Sequence, residues 1–357
     1  MNIQPATPVL LSGNAYERGC AQAACAVDLI PAVQTAIDTR LTAAAALLEQ
    51  PRIRLYLDRQ AELLRAIDPD GAAELAGIAD GFRRPFGAVL AYLHLGVLAD
   101  FAVDGCSAWS WGAGGPSGPL VVKNRDYRGE HVRLQRVFLH RDPHRPGEAI
   151  LCVGSLGSPG AFSSGMNAHG LALVDTQVST SDHGPGLLRY FLMTRLLWQC
   201  RSVSEALQMI SEVPHAGGGT LVLGDATGAC AAVELRHRAW AAESGATYAM
   251  RTNHFLTPEC APFWIAPDEE GAVASTKGRH ARLQSWLAGR GGCPTLEEAA
   301  EIMGSHREDG QEALCRHGED GDSLTISCAI FAPAELRLYF SDGKPCAGKW
   351  SSFDCRS

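Results

Sequence analysis

Cys106, near the middle of the chain, stands in a context that favours nucleophilic chemistry. It directly follows Asp104 and Gly105, and the residues after it have β-strand character. An ordinary catalytic cysteine takes its base from a histidine. A cysteine at the start of a chain can instead use its own α-amino group, whose ordinary pKa is about 7.7–8.0. The junction therefore predicts a chain that cuts its own backbone before Cys106 and then uses the new N-terminal cysteine as nucleophile and base.

Such a cleavage would begin with attack of the Cys106 thiol on the carbonyl carbon of Gly105, which is an N-to-S acyl shift. Water would then cleave the ester at sulfur. Gly105 favours this route, because a residue without a Cβ tolerates the strained backbone that the attack requires. Asp104 could steer or protonate the departing groups. The alternative interpretation of this tripeptide is a turn that leads into a strand.

Two further polar residues strengthen the prediction of a cysteine site. Asp126 lies one predicted strand after Cys106, so a hairpin would bring its carboxylate beside the thiol. Asn253 ends a later predicted strand, where a side-chain amide can donate a hydrogen bond to an oxyanion. From the residues alone, Asp126 could equally cap a turn, and Asn253 could be a satisfied amide at a strand end.

Bulk composition narrows the class of protein. The chain has 357 residues and a net charge of −8, which argues against a nucleic-acid partner. No apolar run approaches the roughly 18 residues that a membrane span needs. The N-terminus has no cationic segment before an apolar stretch, so we expect a cytoplasmic protein without a membrane partner. The 12 cysteines are scattered and form no Cys-x-x-Cys pair, so we expect no metal and no bound cofactor.

The order of predicted elements indicates the fold class. Helices dominate residues 1–105, and short strands dominate residues 106–357, interrupted by two consecutive helices and later by one short helix. This order favours an α+β fold with two antiparallel sheets covered by helices over an alternating parallel fold. Predicted helices cover residues 16–29, 33–48, 72–78, 88–98, 187–199, 203–213 and 297–303, and predicted strands cover 106–111, 120–123, 132–139, 149–153, 171–178, 220–223, 229–235, 239–242, 247–251, 324–331 and 335–339.

Five short motifs occur in order along most of the chain. They are GNAYERG at 13–19, DGC at 104–106, NRD at 124–126, SGMNAHGL at 164–171 and TNH at 252–254. In this combination the chain resembles the acyl-CoA:6-aminopenicillanic acid acyltransferase family, whose members are N-terminal-nucleophile hydrolases. Bile salt hydrolases and acid ceramidases are more distant relatives of that family.

The resemblance implies a four-layer αββα sandwich in which both parts of the chain form one domain. It implies autocleavage between Gly105 and Cys106, with the helical part before the cut staying bound to the remainder. It also implies Cys106 as the nucleophile, Asp126 as the carboxylate that orients its amino group, and Asn253 as the oxyanion donor.

The resemblance further implies a pocket beside the nucleophile. Lys123 falls where many relatives carry an arginine before the Asn-x-Asp motif. Asp175, Thr176 and Gln177 follow the glycine turn, where relatives place pocket-lining and oxyanion residues. An acid at position 175 could bind a cationic amine, or it could be strand polarity that faces solvent. Arg316 is the candidate for a late arginine that serves the site in some relatives.

The resulting prediction is a self-processing enzyme that moves an acyl group from a thioester or amide onto Cys106 and then to an amine. Acyl-CoA is one such donor. The partners expected are therefore a small-molecule acyl donor, an amine acceptor and the chain's own N-terminal fragment. An amidohydrolase that uses water as the acceptor is the alternative. A papain-like or non-catalytic protein is less favoured, because CSAW at 106–109 differs from the Cys-Gly-Ser-Cys-Trp context of papain-like enzymes.

Overall fold

Two β-sheets form the centre of the molecule, and helices cover the outer face of each. The computed structural model describes residues 1–98, 105–112, 118–127, 130–268, 271–318 and 323–356. The described helices are α1 Ala15–Ala24, α2 Ile30–Ala43, α3 Ala45–Leu48, α4 Pro51–Ile67, α5 Pro69–Gly81, α6 Phe86–Leu98, α7 Arg189–Gln199, α8 Val203–Glu212, α9 Ala272–Ala288 and α10 Leu296–Met303. The described strands are β1 Asn2–Pro5, β2 Val9–Ser12, β3 Cys106–Trp111, β4 Leu120–Tyr127, β5 Gln135–Arg141, β6 Ala149–Ser155, β7 Ser164–Asn167, β8 Ala172–Thr176, β9 Thr220–Gly224, β10 Cys230–Leu235, β11 Trp240–Ser244, β12 Tyr248–Arg251, β13 Leu324–Ala332, β14 Arg337–Asp342 and β15 Lys349–Asp354.

Each sheet combines strands from separate parts of the chain. The first sheet has the strand order β1-β15-β14-β13-β4-β3-β12, and the second has the order β11-β10-β9-β8-β7-β6-β5-β2. Neighbouring strands are antiparallel except at the pairs β1–β15 and β2–β5, which are parallel. Cys106 therefore begins a central strand of the first sheet, between β4 and β12.

Alternation along the strands divides the core into three apolar layers. On β3, Ala108 packs between the sheets, whereas Trp109 packs outward against α9 and α10. On β4, Val121 packs between the sheets and Val122 packs outward against the helices. The outer face of the second sheet packs against α1, α2 and α4–α8. Side chains on successive strand residues point to opposite faces, so these clusters define four layers in the order helix, sheet, sheet, helix, and they confirm the predicted αββα architecture.

The segment before Cys106 is built into the same core as the rest of the chain. Its strand β1 pairs with β15, and β2 pairs with β5, so it adds an edge strand to each sheet. Its helices share one apolar cluster with α7 and α8. Helices α1 and α5 approach closely at two glycines: a Cβ on Gly19 would lie 2.2 Å from the Glu74 carbonyl oxygen, and one on Gly77 would lie 2.0 Å from that of Tyr16.

Several elements differ from the sequence-based predictions. Helix α4 was not predicted, because Pro51 was read as a break although proline is favoured in the first turn of a helix. Pro69 likewise occupies the first turn of α5, where proline is favoured. Helix α9 and strands β1, β2, β7 and β15 were also not predicted. Strand β5 begins at Gln135 because residues Glu130–Arg133 form a 3-10 turn.

Within the described residues, no single helix is long and apolar enough to cross a membrane. Helix α1 and the segment Val27–Ala43 meet the length and composition criteria only as a pair, and that pair is bent by 80°.

Candidate active site

Cys106 lies at the first position of β3 and is 5% exposed. Its register partner on β4 is Arg125. Cys106 and Ala108 share the face of β3 that looks toward the second sheet, because residues two apart on a strand lie on the same side. The thiol-bearing residue is therefore at one end of the space between the sheets.

Asn253 and Arg279 hold the backbone of Cys106 from the side of α9. The N–H of Cys106 donates to Asn253 Oδ1 over 2.8 Å, and Arg279 Nη2 donates to the same oxygen over 2.9 Å. Arg279 Nη1 also donates to the carbonyl oxygen of Cys106 and, over 2.9 Å, to Ser107 Oγ. Two donors converge on one atom of the Asn253 amide, and this network fixes its oxygen toward Cys106.

The donor end of the Asn253 amide has a partner as well. Asn253 Nδ2 donates to the backbone carbonyl of Gln177 over 2.9 Å, and the backbone N–H of Asn253 donates to Thr276 Oγ1 over 2.8 Å. The group predicted to stabilise an oxyanion is thus next to Cys106, but its N–H donor is used on the Gln177 carbonyl in this structure.

Asp126 lies beside the peptide bond that precedes Cys106. Its backbone N–H donates to the carbonyl oxygen of Gly105 over 2.8 Å, and its Oδ1 accepts from Thr325 Oγ1 over 2.6 Å. Among the described residues, its Oδ2 has no hydrogen-bond partner, and the nearest cation, Arg316 Nη1, is 3.8 Å away. Burial raises the pKa of this carboxyl although Arg279 and Arg316 act in the opposite direction.

Two charged side chains pack closely around Gly105. A Cβ at this position would lie 2.5 Å from Asp126 Oδ2 and 2.6 Å from Arg316 Nη1. A side chain here would therefore displace one or both of these groups, or the backbone itself. Asp104, predicted to assist the departing groups, lies outside the described residues.

Lys123, Asp175 and Arg189 form a buried ion cluster that joins the two sheets. Lys123 Nζ on β4 contacts Asp175 Oδ1 on β8, and Arg189 Nε at the start of α7 contacts Asp175 Oδ2 at 2.5 Å. Burial alone would raise the pKa of Asp175, but the two cations hold it below its usual range. Asp175 is 4% exposed, so the suggestion that it faces solvent is wrong. Both of its oxygens are paired within the protein, so a substrate amine would have to compete with Lys123 and Arg189 for them.

Thr176 and Gln177 support the site from its wall. Thr176 Oγ1 donates to the carbonyl oxygen of Thr252, directly before Asn253, over 2.5 Å, and it is fully buried. Thr176 therefore shapes the turn that carries Asn253 and does not line the cavity. Gln177 does line the cavity, and its Nε2 donates to the Gly96 carbonyl over 3.1 Å.

A cavity opens beside Cys106, and its empty space measures about 760 Å³, including part that is open to solvent. Among the lining residues that the structure describes, the charged ones are Arg40, Lys123, Arg125, Asp126, Asp175 and Arg189, and the aromatic ones are Tyr92, Tyr127, Phe162 and Tyr190. Four cations against two carboxylates give the walls an excess of positive charge. The aromatic rings add apolar area to these walls.

Asn124 and Asn167, the asparagines of two of the sequence motifs, stabilise the scaffold. Asn124 Nδ2 donates to the carbonyl oxygens of Met303 and Leu314, each over 2.8 Å, and so ties β4 to α10 and the loop after it. Asn167 Oδ1 accepts from the backbone N–H groups of His169 and Leu171, which closes the predicted glycine turn.

Residues 113–346 match the sequence model of the acyl-coenzyme A:6-aminopenicillanic acid acyl-transferase family. This match spans about two thirds of the chain and includes Asp126, Asn253 and Arg279, while Cys106 lies just before it. The chain belongs to this acyltransferase family. It is accordingly an acyl-transferring or amide-hydrolysing enzyme.

Two solved structures illustrate how far the likeness of this acyltransferase-family protein extends. A mutant of the conjugated bile acid hydrolase from Clostridium perfringens is 14% identical, with a TM-score of 0.39, over 66% of this chain and 89% of that one. Penicillin V acylase from Agrobacterium tumefaciens is 14% identical, with a TM-score of 0.39, over 66% of this chain and 83% of that one. No curated protein sequence matches the chain. The assignment to the family rests on the family match.

Arg279 and Arg189 are the site residues that sequence reasoning missed. Arg279 lies on α9, which was not predicted. Arg189 begins α7 and lies within the predicted helix 187–199, but no functional role was predicted for it. The late arginine was instead sought at Arg316, which the structure does bring to within 3.8 Å of Asp126. Arg279 and Arg316, which come from separate parts of the chain, thus both approach the Gly105–Cys106 junction.

Proposed function

We propose that this protein is a self-processing cysteine enzyme of the N-terminal-nucleophile type, which passes an acyl group from a thioester or amide through Cys106 to an amine. The observation that carries the proposal is the environment of the Cys106 backbone nitrogen. Asn253 Oδ1 accepts its N–H over 2.8 Å, and the buried carboxylate of Asp126 lies beside the preceding peptide bond. A buried backbone N–H needs an acceptor in any strand, but strand pairing alone does not place a buried carboxylate beside the same peptide bond.

In maturation, Cys106 Sγ attacks the carbonyl carbon of Gly105. The C–N bond breaks, the Cys106 nitrogen takes up a proton to become an amine, and Gly105 becomes the acyl group of a thioester. Water then hydrolyses the thioester, which gives a Gly105 carboxylate and restores the thiol. The close packing of Asp126 and Arg316 around Gly105 supports this step by holding the peptide bond in one position.

After cleavage, the amine of Cys106 has more N–H donors than the peptide had. Asn253 Oδ1 already accepts one, and Asp126 Oδ2, which has no hydrogen-bond partner among the described residues, can accept another. The positive charges of Arg279 and Arg316 disfavour protonation of the amine. Together these groups would orient a neutral amine toward the thiol, as a base requires.

In turnover, the amine takes the thiol proton, and the sulfur attacks the acyl carbon of the substrate. The tetrahedral intermediate collapses when the leaving thiol or amine receives that proton, and the acyl group stays on Cys106. An acceptor amine then attacks this thioester and restores the thiol. For Asn253 to stabilise the oxyanion, its Nδ2 must share its hydrogen bond with the Gln177 carbonyl or release it.

The cavity indicates the kind of substrate that this site would accept. Arg40, Lys123, Arg125 and Arg189 line it, so an acyl donor or acceptor with a carboxylate or phosphate would be attracted. An acyl-coenzyme A carries phosphates and a thioester, and it is the donor in the name of the family. Hydrolysis of a linear amide uses the same acyl-enzyme with water as the acceptor and is the second candidate.

The test traps the acyl group on the protein and then varies the acceptor. Mature protein is mixed with an acyl thioester, the adduct on the peptide that contains Cys106 is measured by mass spectrometry, and a panel of amines, including carboxylated ones, is added. We expect at least one amine to shorten the lifetime of the adduct relative to water alone. If none does, the enzyme is a hydrolase. If Cys106→Ala forms the same adduct, the nucleophile is another residue.

A further inference from the structure

Four potential metal ligands, three exposed and one buried, meet at a place where none of them lines the cavity. His306, Cys315, His317 and Cys346 each offer one ligand atom, and all four atoms lie within 4.8 Å of one another. His317 Nε2 is 3.2 Å from Cys346 Sγ and 3.7 Å from Cys315 Sγ. Sequence spacing did not reveal the group, because it contains no Cys-x-x-Cys pair and its last member comes from a separate turn.

These separations fit the geometry of a tetrahedral zinc site. Zinc binds thiolate sulfur at about 2.3 Å and imidazole nitrogen at about 2.0–2.1 Å, so neighbouring ligand atoms in a tetrahedron lie roughly 3.3–3.8 Å apart. The two separations above are close to this range, and the widest, at 4.8 Å, needs a contraction of about an ångström. Two thiols and two imidazoles form a donor set that is typical of structural zinc.

We propose that His306, Cys315, His317 and Cys346 bind one zinc ion. This proposal departs from the expectation of a chain without a metal, which was drawn from cysteine spacing. The ion would join two parts of the chain: the loop between α10 and β13, and the 3-10 turn Pro345–Ala347 between β14 and β15.

The protein already holds both parts in place. In the loop, the backbone N–H groups of Leu314 and Cys315 donate to the Ser305 carbonyl over 3.1 and 2.9 Å. At the turn, a Cβ on Gly304 would lie 3.2 Å from the backbone nitrogen of Cys346, so the end of α10 packs directly on it. The ligands are thus presented by backbone that is fixed independently of the ion, as a specific site requires.

One cation competes with the proposed ion. Lys344 Nζ lies 3.3 Å from His317 Nδ1. Ligation through Nε2 leaves the proton of the neutral ring on Nδ1, which then cannot accept from an ammonium. Lys344 must therefore turn away when zinc binds, and its long side chain at the surface allows this. Removing the ammonium should tighten zinc binding, an effect that no purely structural role of the four side chains would produce.

The site would act on the cleavage junction through Arg316, which stands between Cys315 and His317. Arg316 Nη1 is 3.8 Å from Asp126 Oδ2, and its backbone N–H donates to Thr325 Oγ1 over 2.8 Å. A bound ion would hold the chain on both sides of Arg316 and so restrain the guanidinium next to the carboxylate. The binding proposal itself does not depend on the proposed acyl transfer.

The test uses Co²⁺ as a spectroscopic probe on the full chain, reduced and stripped of metal. We expect visible bands of tetrahedral cobalt and a thiolate charge-transfer band, both displaced by Zn²⁺. Cys346→Ser should weaken Co²⁺ binding by more than the roughly 10–100-fold that loss of an outer-shell partner costs. Cys25→Ser is the matched control, because Cys25 is also exposed and lies outside the cluster.

Two outcomes would overturn the proposal. One is reduced wild-type protein that gives no thiolate–cobalt band, which would leave Cys315 and Cys346 as a thiol pair without a metal. The other is a Cys346→Ser protein, folded by circular dichroism, that binds Co²⁺ as wild type does. Lys344→Ala provides an independent check, since it removes no ligand and should lower the Kd for Zn²⁺.

Discussion

Arg279 donates a 2.9 Å hydrogen bond to the side-chain oxygen of Asn253. The same oxygen accepts the backbone N–H of Cys106, and the same guanidinium reaches the Cys106 carbonyl. Both backbone polar groups of Cys106, its N–H and its carbonyl oxygen, are therefore held by one arginine–asparagine pair. In the proposed mechanism, this pair sets the position of the nucleophile, and Arg279 acts as a positioning residue.

Arg279→Lys should lower kcat by about 10²-fold with little change in KM, because a misplacement of about an ångström at a reacting group has an effect of this order. Lysine keeps the charge but loses the planar fork that contacts three acceptors. Steady-state kinetics give the two constants. Arg290→Lys, just beyond the end of α9, is the control and should behave as wild type. A normal kcat in Arg279→Lys would remove the positioning role.

Asn253 combines two functions that a pair of variants can separate. Asn253→Asp keeps an oxygen for Cys106 but loses the Nδ2 donor, whereas Asn253→Ala loses both. If the donor stabilises the oxyanion, each variant should lose about 10²–10³ in turnover. The comparison requires cleaved, folded protein, checked by mass spectrometry and circular dichroism. Near-normal turnover in Asn253→Asp, together with loss in Asn253→Ala, would leave only the acceptor role.

Asp126→Asn should flatten the dependence of stability on pH. Because burial raises the pKa of Asp126 in the folded chain, that state binds a proton more readily than the unfolded state. The free energy of unfolding should therefore fall as pH rises from the ordinary aspartate pKa, about 3.9, through the higher folded value. Asparagine does not titrate, so the stability of the aspartate protein relative to Asp126→Asn should decline across this window.

Urea unfolding at a series of pH values measures this difference. It is made in a Cys106→Ala background, which should keep the chain uncut. A relative stability that instead increases with pH would mean that the ionised carboxylate is favoured in the fold and would contradict the assigned direction.

Gly105→Ala should slow cleavage of the precursor by roughly 10²-fold. The new Cβ would lie 2.5 Å from Asp126 Oδ2, so either this carboxylate, which Thr325 holds through Oδ1, or the scissile peptide must leave its position. The rate is followed by gel electrophoresis of freshly refolded chain. Gly87→Ala is the control, because a Cβ there meets nothing within 4 Å. Cleavage of Gly105→Ala at the wild-type rate would show that the contact is irrelevant to maturation.

Local sequence was enough to predict the pairing of Cys106 with the strand that carries Asp126, since adjacent strands joined by a short connection form a hairpin. Two antiparallel sheets covered by helices could also be predicted, because helices and strands follow one another in blocks along the chain. The four-layer order was implied by the family resemblance. The contact between Asn253 and Arg279 could not be predicted from the sequence. It spans 26 residues and depends on α9, whose residues have no clear helical stripe in the sequence.

The environment of Asp175 was mispredicted for a related reason. Strand β8 is buried on both faces, because one face packs on helices and the other on the first sheet. Alternation along the strand therefore says nothing about exposure. Its partner Lys123 lies on the other sheet, and a contact between sheets leaves no pattern in either strand. The four residues of the proposed zinc site were not grouped from sequence for the same reason, since Cys346 joins the other three only through the fold.

The intact mass of active, purified protein after denaturation tests the proposed self-cleavage most directly. We expect two chains, one ending at Gly105 and one beginning at Cys106, and a single uncut chain for Cys106→Ala. Full activity in a wild-type preparation that remains one continuous chain through the Gly105–Cys106 bond would contradict it.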